Sequence, residues 1–260
     1  MNKRLWIIFA VVVILALGAL IWWKNLDDRT SGAKYVNYLN GKKLITMQSV
    51  VDARNKAANG GQLANNFTLS PDERAKIIPD HFLGDKTSQV IVIEYEDFAC
   101  SACNGFASKA GQIHQDYKDR VLFIYRHFNI GQNTSTLSES AALATYLLTP
   151  GDDNAKNAAF WRMHDLIFSD QTCMEGNNKQ TCQARLELYA KQLGLDAAKF
   201  REALTNYQVN GIKDKIDRDQ ALGLAMSNPV SATPTWYVNG EKIEGANDSK
   251  IRAAIDKALK

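Results

Sequence analysis

The stretch VIVIEYEDFACSAC, residues 90–103, decides the fold. Its first six residues are mostly β-branched, which predicts a strand buried on both faces. Residues 97–99 then turn the chain, and residues from about 101 to 118 predict a helix, because apolar side chains recur on one face. Residues 121–125 are a second apolar run. A strand, a helix and a strand in this order predict a parallel strand pair joined by a right-handed crossover.

A Cys-x-x-Cys pair, Cys100-Ser101-Ala102-Cys103, lies between this strand and this helix. Cys100 stands at the predicted helix N-terminus, where unpaired backbone N–H groups and the helix dipole favour an anion. Such a position lowers the pKa of a thiol into the range of roughly 3.5–7.5. Cys103 lies one helical turn on, so it can form a disulfide with Cys100 or attack a mixed disulfide there. The pattern favours redox chemistry, with half of a zinc site and an inert structural disulfide as alternatives.

The rest of the chain surrounds this unit with helices and a second pair of strands. Residues 136–226 show five successive helical patterns. Asn239-Gly240 lies within residues 235–244 and is a strong hairpin signal. A last helix is predicted from about 248 to 259. The order predicts an α/β fold in which a sheet domain contains a helical insertion.

Two positions near the predicted sheet are unusual. Thr233-Pro234 directly precedes the hairpin, where proline normally interrupts strand pairing. An X-Pro bond at a tight entry to a strand is a candidate cis peptide, with an ordinary trans turn as the equal alternative. Glu94 interrupts the apolar run, and burying an acid there without a partner is costly. It is either a buried acid or a strand-edge carboxylate in water.

The N-terminus predicts export. Residues 1–4 carry two positive charges and residues 5–23 carry none. As a helix, residues 5–23 would be roughly 28 Å long, which matches the hydrocarbon core of a bilayer. We expect a cytoplasmic tip at 1–4, a transmembrane signal-anchor at 5–23 and a spacer with short helices at 24–79. A cleaved signal peptide is the alternative. Either one places the domain of residues 80–260, with its helical insertion at about 131–227, in a compartment that permits disulfides.

Composition narrows the possible partners. The chain has 260 residues and a formal net charge of +3, without a dense run of lysine and arginine, so nucleic-acid binding has little support. No segment resembles a dimerisation domain, and we expect a monomer. We also expect no bound cofactor, because the electrons can rest in the Cys100–Cys103 pair.

Three separated motifs carry a family resemblance. They are EYxDFxCxxC at residues 94–103, FWxMHDLxF at 160–168 and TPTxxVNG at 233–240. Together they resemble the DsbA-like thiol–disulfide oxidoreductases, over residue 80 to the C-terminus. The resemblance implies a thioredoxin fold with an inserted helical subdomain, here preceded by one N-terminal transmembrane helix. It implies that Cys100 is the accessible nucleophile and Cys103 the buried resolving cysteine.

The same resemblance implies roles for three other residues. Pro234 matches the cis-proline of the family. Thr233 matches the residue whose backbone hydrogen-bonds a bound extended peptide, a form of strand addition. Glu94 matches a buried acid that assists proton transfer from the buried thiol.

Two positions depart from the family pattern. The best-known DsbA enzymes carry Pro-His between the cysteines, and the histidine stabilises the thiolate. Because Ser101-Ala102 stands there instead, we expect a less acidic Cys100 and a milder oxidant than DsbA itself. Asn129 replaces a proline that is frequent in relatives, and the sequence attaches no consequence to it.

The remaining cysteines, Cys173 and Cys182, lie in a polar part of the helical block. They predict a second, structural disulfide that closes a loop of about ten residues. A shuttle pair that passes electrons onward is the alternative.

The leading functional hypothesis is an oxidase that forms disulfides in unfolded exported polypeptides with free thiols. It requires a redox partner that re-oxidises the pair. A reductase or isomerase of the same fold is one alternative, because direction follows potential and partner. A membrane-tethered copper-binding chaperone is the other, because two thiolates can hold Cu(I).

Overall fold

The computed structural model describes residues 78–260 except 175, 225 and 227. The predicted cytoplasmic tip, the signal-anchor at 5–23 and nearly all of the spacer at 24–79 lie outside the described residues. Among the described helices, none is both long enough and apolar enough to cross a membrane.

One mixed sheet lies at the centre of the described residues. Its strands are β1 (His81–Gly84), β2 (Ile91–Glu96), β3 (Leu122–His127), β4 (Thr235–Val238) and β5 (Glu241–Glu244). They lie in the order β1-β3-β2-β4-β5. Central β2 pairs in parallel with β3 and antiparallel with β4. All residues of these three strands are buried, which explains their near-continuous apolar sequences.

The parallel pair and the hairpin confirm the predicted arrangement of strands, but β1 was not predicted. It contains four residues and pairs antiparallel with β3 at the sheet edge. Its sequence, HFLG, is too short for a periodic pattern and is bounded by turn-forming residues, so that it resembles a loop.

Helices surround the sheet and fill the insertion. They are α1 (Ser101–Tyr117), α2 (Ser135–Leu148), α3 (Asp153–Ser169), α4 (Lys179–Gln192), α5 (Ala197–Thr205), α6 (Ile212–Leu224) and α7 (Asp248–Ala258). The five helices α2 to α6 lie between β3 and β4, as predicted. The helical insertion in the middle of a sheet domain is therefore confirmed.

The two faces of the sheet bury different clusters. Helices α1 and α7 cover one face, where Phe106 and Ile251 pack with Phe123 and Trp236 of the strands. The cluster on the opposite face contains Ile91, Ile93, Tyr95, Leu122, Ile124, Phe128, Val230 and Tyr237. Burying one large apolar side chain contributes roughly 1.5–3 kcal/mol, so both faces hold the helices in place.

A glycine brings α6 close to the second face. A Cβ atom on Gly223 would lie 3.0 Å from the rings of both Tyr95 and Phe128. These contacts are tighter than ordinary van der Waals distances, so α6 packs this closely only because the position is glycine.

A buried ionic cluster ties the beginning of the domain to β3 and α6. The Arg126 guanidinium lies 3.0 Å from Asp80, and the Lys215 ammonium lies 3.1 Å from Asp80 and 2.5 Å from Asp219. All four side chains are almost fully buried. Removing one partner from such a cluster leaves an uncompensated charge, which is strongly destabilising.

Candidate active site

The turn between β2 and α1 is held by Asp97. Its backbone oxygen accepts from the Cys100 N–H at 3.0 Å, and its Oδ1 accepts from the Ala99 N–H at 2.8 Å. Its Oδ2 accepts from the Ile130 N–H and from the Ser135 hydroxyl, at 2.9 and 2.6 Å. The carboxyl is buried, and burial raises its pKa. Asp97 thus connects the loop before Cys100 to the first helix of the insertion.

Cys100 caps the N-terminus of α1, where the sequence places it. Its Sγ lies 3.5 Å from the Cys103 N–H, which donates to it. The Cys100 pKa falls to about 6, chiefly because the Cys103 thiol hydrogen-bonds to it. Burial opposes this fall, and the Thr233 side chain and the N–H groups of Cys103 and Ala102 add to it. This is well above the value of roughly 3.5 for DsbA itself.

Cys103 has the opposite environment. Its exposed fraction is 0%, against 6% for Cys100. Burial raises the Cys103 pKa well above the ordinary range, and its hydrogen bond to Cys100 and the charge of Glu96 raise it further. Both thiols are free in this structure. The pair therefore contains one acidic, partly accessible thiol and one inaccessible thiol that holds its proton.

Thr233 and Pro234 lie directly beside Cys100. The Thr233–Pro234 peptide bond is cis. The Cys100 thiol donates to the Thr233 carbonyl oxygen at an Sγ–O distance of 3.4 Å. On the other side of the proline, its carbonyl oxygen accepts from the Gly245 N–H at 2.8 Å. The structure thus brings together two segments that are 133 residues apart in sequence.

Glu94 is buried beneath α1, so the alternative of a strand-edge carboxylate in water is wrong. It is 1% exposed, and its Oε2 lies 3.1 Å from the His114 Nε2. Glu96, two residues further along β2, is also buried and was missed. Because side chains two apart in a strand share a face, Glu94 already indicates that Glu96 points the same way. That periodicity could have identified the second acid.

A cavity of about 410 Å³ opens beside these two acids. It is lined by Glu94 and Glu96 from β2, Asn104 and His114 from α1, and His164 and Phe168 from α3. Burial raises the Glu96 pKa well above its ordinary value, and repulsion from Glu94 and from Cys100 adds to the effect. In the described part of the chain, no three His, Cys, Asp or Glu side chains are grouped to hold a metal ion.

Cys173 and Cys182 form a disulfide inside the helical insertion. Both are buried in its core. The sequence places them in a polar part of the helical block, and in the structure Cys182 lies in the first turn of α4. Asn178 caps that helix, and its side chain accepts from the N–H groups of Gln180 and Thr181.

Asn129 has a structural partner that the sequence did not reveal. Its side-chain amide donates to Glu139 at 3.0 Å and to Thr136 at 3.1 Å. Glu139 is fully buried, so this hydrogen bond offsets part of its desolvation.

Comparison with known proteins agrees with this geometry. A thioredoxin family model, described as "Thioredoxin", matches residues 76–257. The Na(+)/H(+) antiporter NhaA 3 of Salinispora tropica is 31% identical over 181 residues, which are 69% of this chain and 25% of that protein. The chain spans about a quarter of the length of the curated relatives it matches.

Several solved structures resemble the fold, among them the following two. BdbD from Bacillus subtilis, in its oxidised form, has a TM-score of 0.59 at 24% identity and covers 69% of this chain and 92% of its own. The thiol-disulfide exchange protein alpha-DsbA2 from Wolbachia pipientis has a TM-score of 0.56 at 18% identity, with coverages of 81% and 97%. The predicted thioredoxin fold with an inserted helical subdomain is therefore confirmed.

Proposed function

This chain belongs to the thioredoxin family and has the fold of the DsbA-like thiol–disulfide oxidoreductases, and we propose that it is an oxidase that forms disulfides in exported polypeptides through Cys100 and Cys103. The observation that carries the proposal is the contrast between the two thiols. Cys100 has a pKa of about 6, whereas burial raises that of Cys103 well above the ordinary range. At neutral pH the first is a nucleophile and a good leaving group, and the second stays protonated.

The reaction begins with the disulfide between Cys100 and Cys103. A substrate thiolate attacks the Cys100 Sγ, the bond to Cys103 breaks, and the Cys103 sulfur leaves with the electron pair and takes up a proton. A second substrate thiolate then attacks the substrate sulfur of the mixed disulfide, and Cys100 leaves as a thiolate. Two electrons have passed from the substrate dithiol to the pair. A separate redox partner must remove them before the next cycle.

Thr233 and Pro234 supply the surface on which the substrate would lie. The Thr233 carbonyl oxygen is 3.4 Å from the Cys100 Sγ, so a backbone group flanks the reacting sulfur. We propose that an extended, unfolded segment lies along Thr233 and hydrogen-bonds to its backbone. Backbone pairing does not read side chains, which suits an enzyme that acts on many unfolded polypeptides.

We further propose that residues 5–23 hold the chain in the cell membrane, with the catalytic domain outside the cytoplasm. Nineteen uncharged residues after Lys3-Arg4 support this orientation. An oxidising compartment would also maintain the disulfide between Cys173 and Cys182. Ion transport is not proposed, because the match to the antiporters covers only a quarter of their length.

The test is the equilibrium of the purified full-length chain with reduced and oxidised glutathione. An oxidase should give a potential between about −120 and −200 mV, and a reductase one near −270 mV. Cys103→Ser should trap a mixed disulfide at Cys100. Stoichiometric Cu(I) binding without any exchange with glutathione would refute the proposal in favour of a chaperone.

A further inference from the structure

The chain enters β4 through residues 228–234, which we call the proline loop and which end at the cis peptide bond of the candidate active site. Val230 is buried in the cluster on the second face of the sheet, and its N–H donates to the Gly223 carbonyl oxygen of α6 at 3.0 Å. Its neighbours on either side, Pro229 and Ser231, are exposed. Apolar packing thus fixes the proline loop at Val230 but does not set the path of its exposed residues, which need polar contacts.

Lys242 of β5 reaches across to the proline loop. Its Nζ lies 2.7 Å from the Pro229 carbonyl oxygen, 3.3 Å from the Ser231 Oγ and 2.7 Å from the Glu244 Oε2. An ammonium group has three N–H donors, so these three acceptors engage all of them. The Lys242 side chain is only 9% exposed, although β5 is an edge strand of the sheet. Lysine is mostly exposed in proteins unless it is paired, so the burial of Lys242 reflects these specific contacts.

The Glu244 and Ser231 side chains complete this arrangement. The Ser231 hydroxyl donates to the Glu244 Oε2 at 2.6 Å and accepts from Lys242, so the three side chains are mutually hydrogen-bonded. We call Lys242, Glu244 and Ser231 the loop clamp. Ser231 stands two residues before Thr233 in the chain. The loop clamp thus joins the proline loop to β5 by charge-assisted hydrogen bonds, which are stronger than neutral ones.

The sheet connects the loop clamp with Cys100. Strand β5 pairs with β4, and β4 pairs with β2, whose end leads into the turn before Cys100. The Thr235 hydroxyl of β4 donates to the Ala232 carbonyl oxygen at 2.7 Å. The next carbonyl oxygen, that of Thr233, lies 3.4 Å from the Cys100 Sγ. The proline loop is therefore held to the same strands that carry the reacting sulfur, and these contacts set the position of Thr233 relative to Cys100.

We propose that Lys242 is a positioning residue, which through the loop clamp holds the Thr233 backbone where an extended polypeptide pairs with it, and thereby favours polypeptide thiols over small thiols. A polypeptide must reach the Cys100 sulfur and the Thr233 backbone together, and hydrogen bonds weaken steeply when their geometry changes. A small dithiol without a peptide backbone needs only the sulfur. This inference rests on the proposed function, because it assigns the residue that adapts the same site to its class of substrate.

The test measures how fast two reductants reduce the Cys100–Cys103 disulfide of the oxidised full-length chain. One is an unstructured peptide with two cysteines, and the other is dithiothreitol, which has no peptide backbone. Samples are quenched with acid, the free thiols are then alkylated, and the label on Cys100 and Cys103 is counted by peptide mass spectrometry. In Lys242→Met the half-saturating peptide concentration should rise roughly tenfold at an unchanged maximal rate, the effect of losing one charge-assisted hydrogen bond. The rate with dithiothreitol should stay at the wild-type value, and Lys242→Arg, which keeps the charge, should restore part of the peptide binding.

A second lysine that pairs with β5 provides the matched control. The Lys257 Nζ lies 3.0 Å from the Glu241 Oε2, and the two side chains are 76% and 54% exposed. Lys257→Met therefore removes an ion pair from the same strand and leaves the loop clamp in place. Exposed pairs of this kind contribute little, so this variant should react with the peptide and with dithiothreitol as the wild type does.

The two reductants separate this inference from the proposed function. Equal losses with both reductants in Lys242→Met, an unchanged half-saturating peptide concentration, or the same rise in Lys257→Met would overturn the inference and leave the proposed function intact. A wild-type chain that leaves the peptide unoxidised would overturn both. If Lys242→Met does not fold, Ser231→Ala decides, because it removes only an exposed hydroxyl of the loop clamp. An unchanged half-saturating peptide concentration in Ser231→Ala contradicts the assignment.

Discussion

The acidity of Cys100 should depend on Cys103 more than on any other side chain. The hydrogen bond from the Cys103 thiol is the largest cause of the fall in the Cys100 pKa to about 6. At pH 7 about 90% of Cys100 is then thiolate, against a few per cent for an ordinary thiol. Cys103→Ala removes that donor and leaves the Thr233 side chain and the backbone N–H groups. We expect the Cys100 pKa in that variant to rise to about 7 or higher, toward the ordinary value of about 8.5.

The assay is the thiolate absorbance in the ultraviolet, followed as a function of pH. Its midpoint is more informative than an alkylation rate, because a less acidic thiolate is also more nucleophilic and partly conceals the change. Cys103→Ser is the matched control, because its hydroxyl can still donate to the Cys100 sulfur, and its midpoint should stay near the wild-type value. An unchanged midpoint in Cys103→Ala would refute the reasoning, and so would a wild-type midpoint near 3.5 or 8.5.

Three further predictions concern stability, each measured by urea unfolding. Replacing Cys173 and Cys182 with alanine should lower the free energy of unfolding by about 2–3 kcal/mol in the chain-entropy model and leave Cys100 alkylation unchanged. A variant that loses thiol–disulfide exchange but keeps its stability would indicate a shuttle pair instead. Lys215→Met should cost about 3–5 kcal/mol, since it removes the ammonium that pairs with both Asp219 and Asp80 in the buried cluster. Lys215→Met with Asp219→Leu should recover most of the loss, and a single-variant loss below about 1 kcal/mol contradicts this. Burial lowers the His127 pKa to about 3, whereas the unfolded value is about 6.5. The contribution of neutral His127 to stability is therefore complete above pH 6.5 and is lost as the pH falls toward 3. The deficit of His127→Gln relative to wild type should therefore shrink by up to about 1.4 kcal/mol per pH unit over that range, and a constant deficit would contradict it.

The sequence predicts the central elements because local patterns determine them. The β-branched run at 90–95 becomes β2, and Asn239-Gly240 connects β4 and β5 between the predicted limits. The helix after Cys100 ends within one residue of its predicted end. Each of these has a periodicity or a turn signal within a few residues.

Features that depend on distant residues could not be predicted in the same way. Asp80 meets Lys215 across 135 positions, and neither residue has a local pattern that indicates a buried partner. Asn129 stands where a proline is frequent in relatives, and only the fold shows that its amide donates to buried Glu139. A polar residue in a sequence is expected at the surface until tertiary structure supplies its partner.

The direction of electron flow depends on how strongly the fold favours the reduced pair. A Cys100 pKa of about 6 stabilises the reduced form at pH 7, by at most about 1.4 kcal/mol relative to an ordinary thiol, and by less after solvent screening. For a two-electron couple this corresponds to at most about 30 mV. The interval between the potentials of thioredoxin and DsbA is about 150 mV. Cys100 acidity alone therefore cannot make this chain a strong oxidant, and an oxidase role requires a further difference between the oxidised and reduced states. Glu96 contributes such a difference, because its negative charge raises the Cys103 pKa and so couples the protonation of the acid to that of the thiol. A measured potential should consequently change with pH through Cys100, near pH 6, and through Glu96, whose pKa burial raises well above its ordinary value.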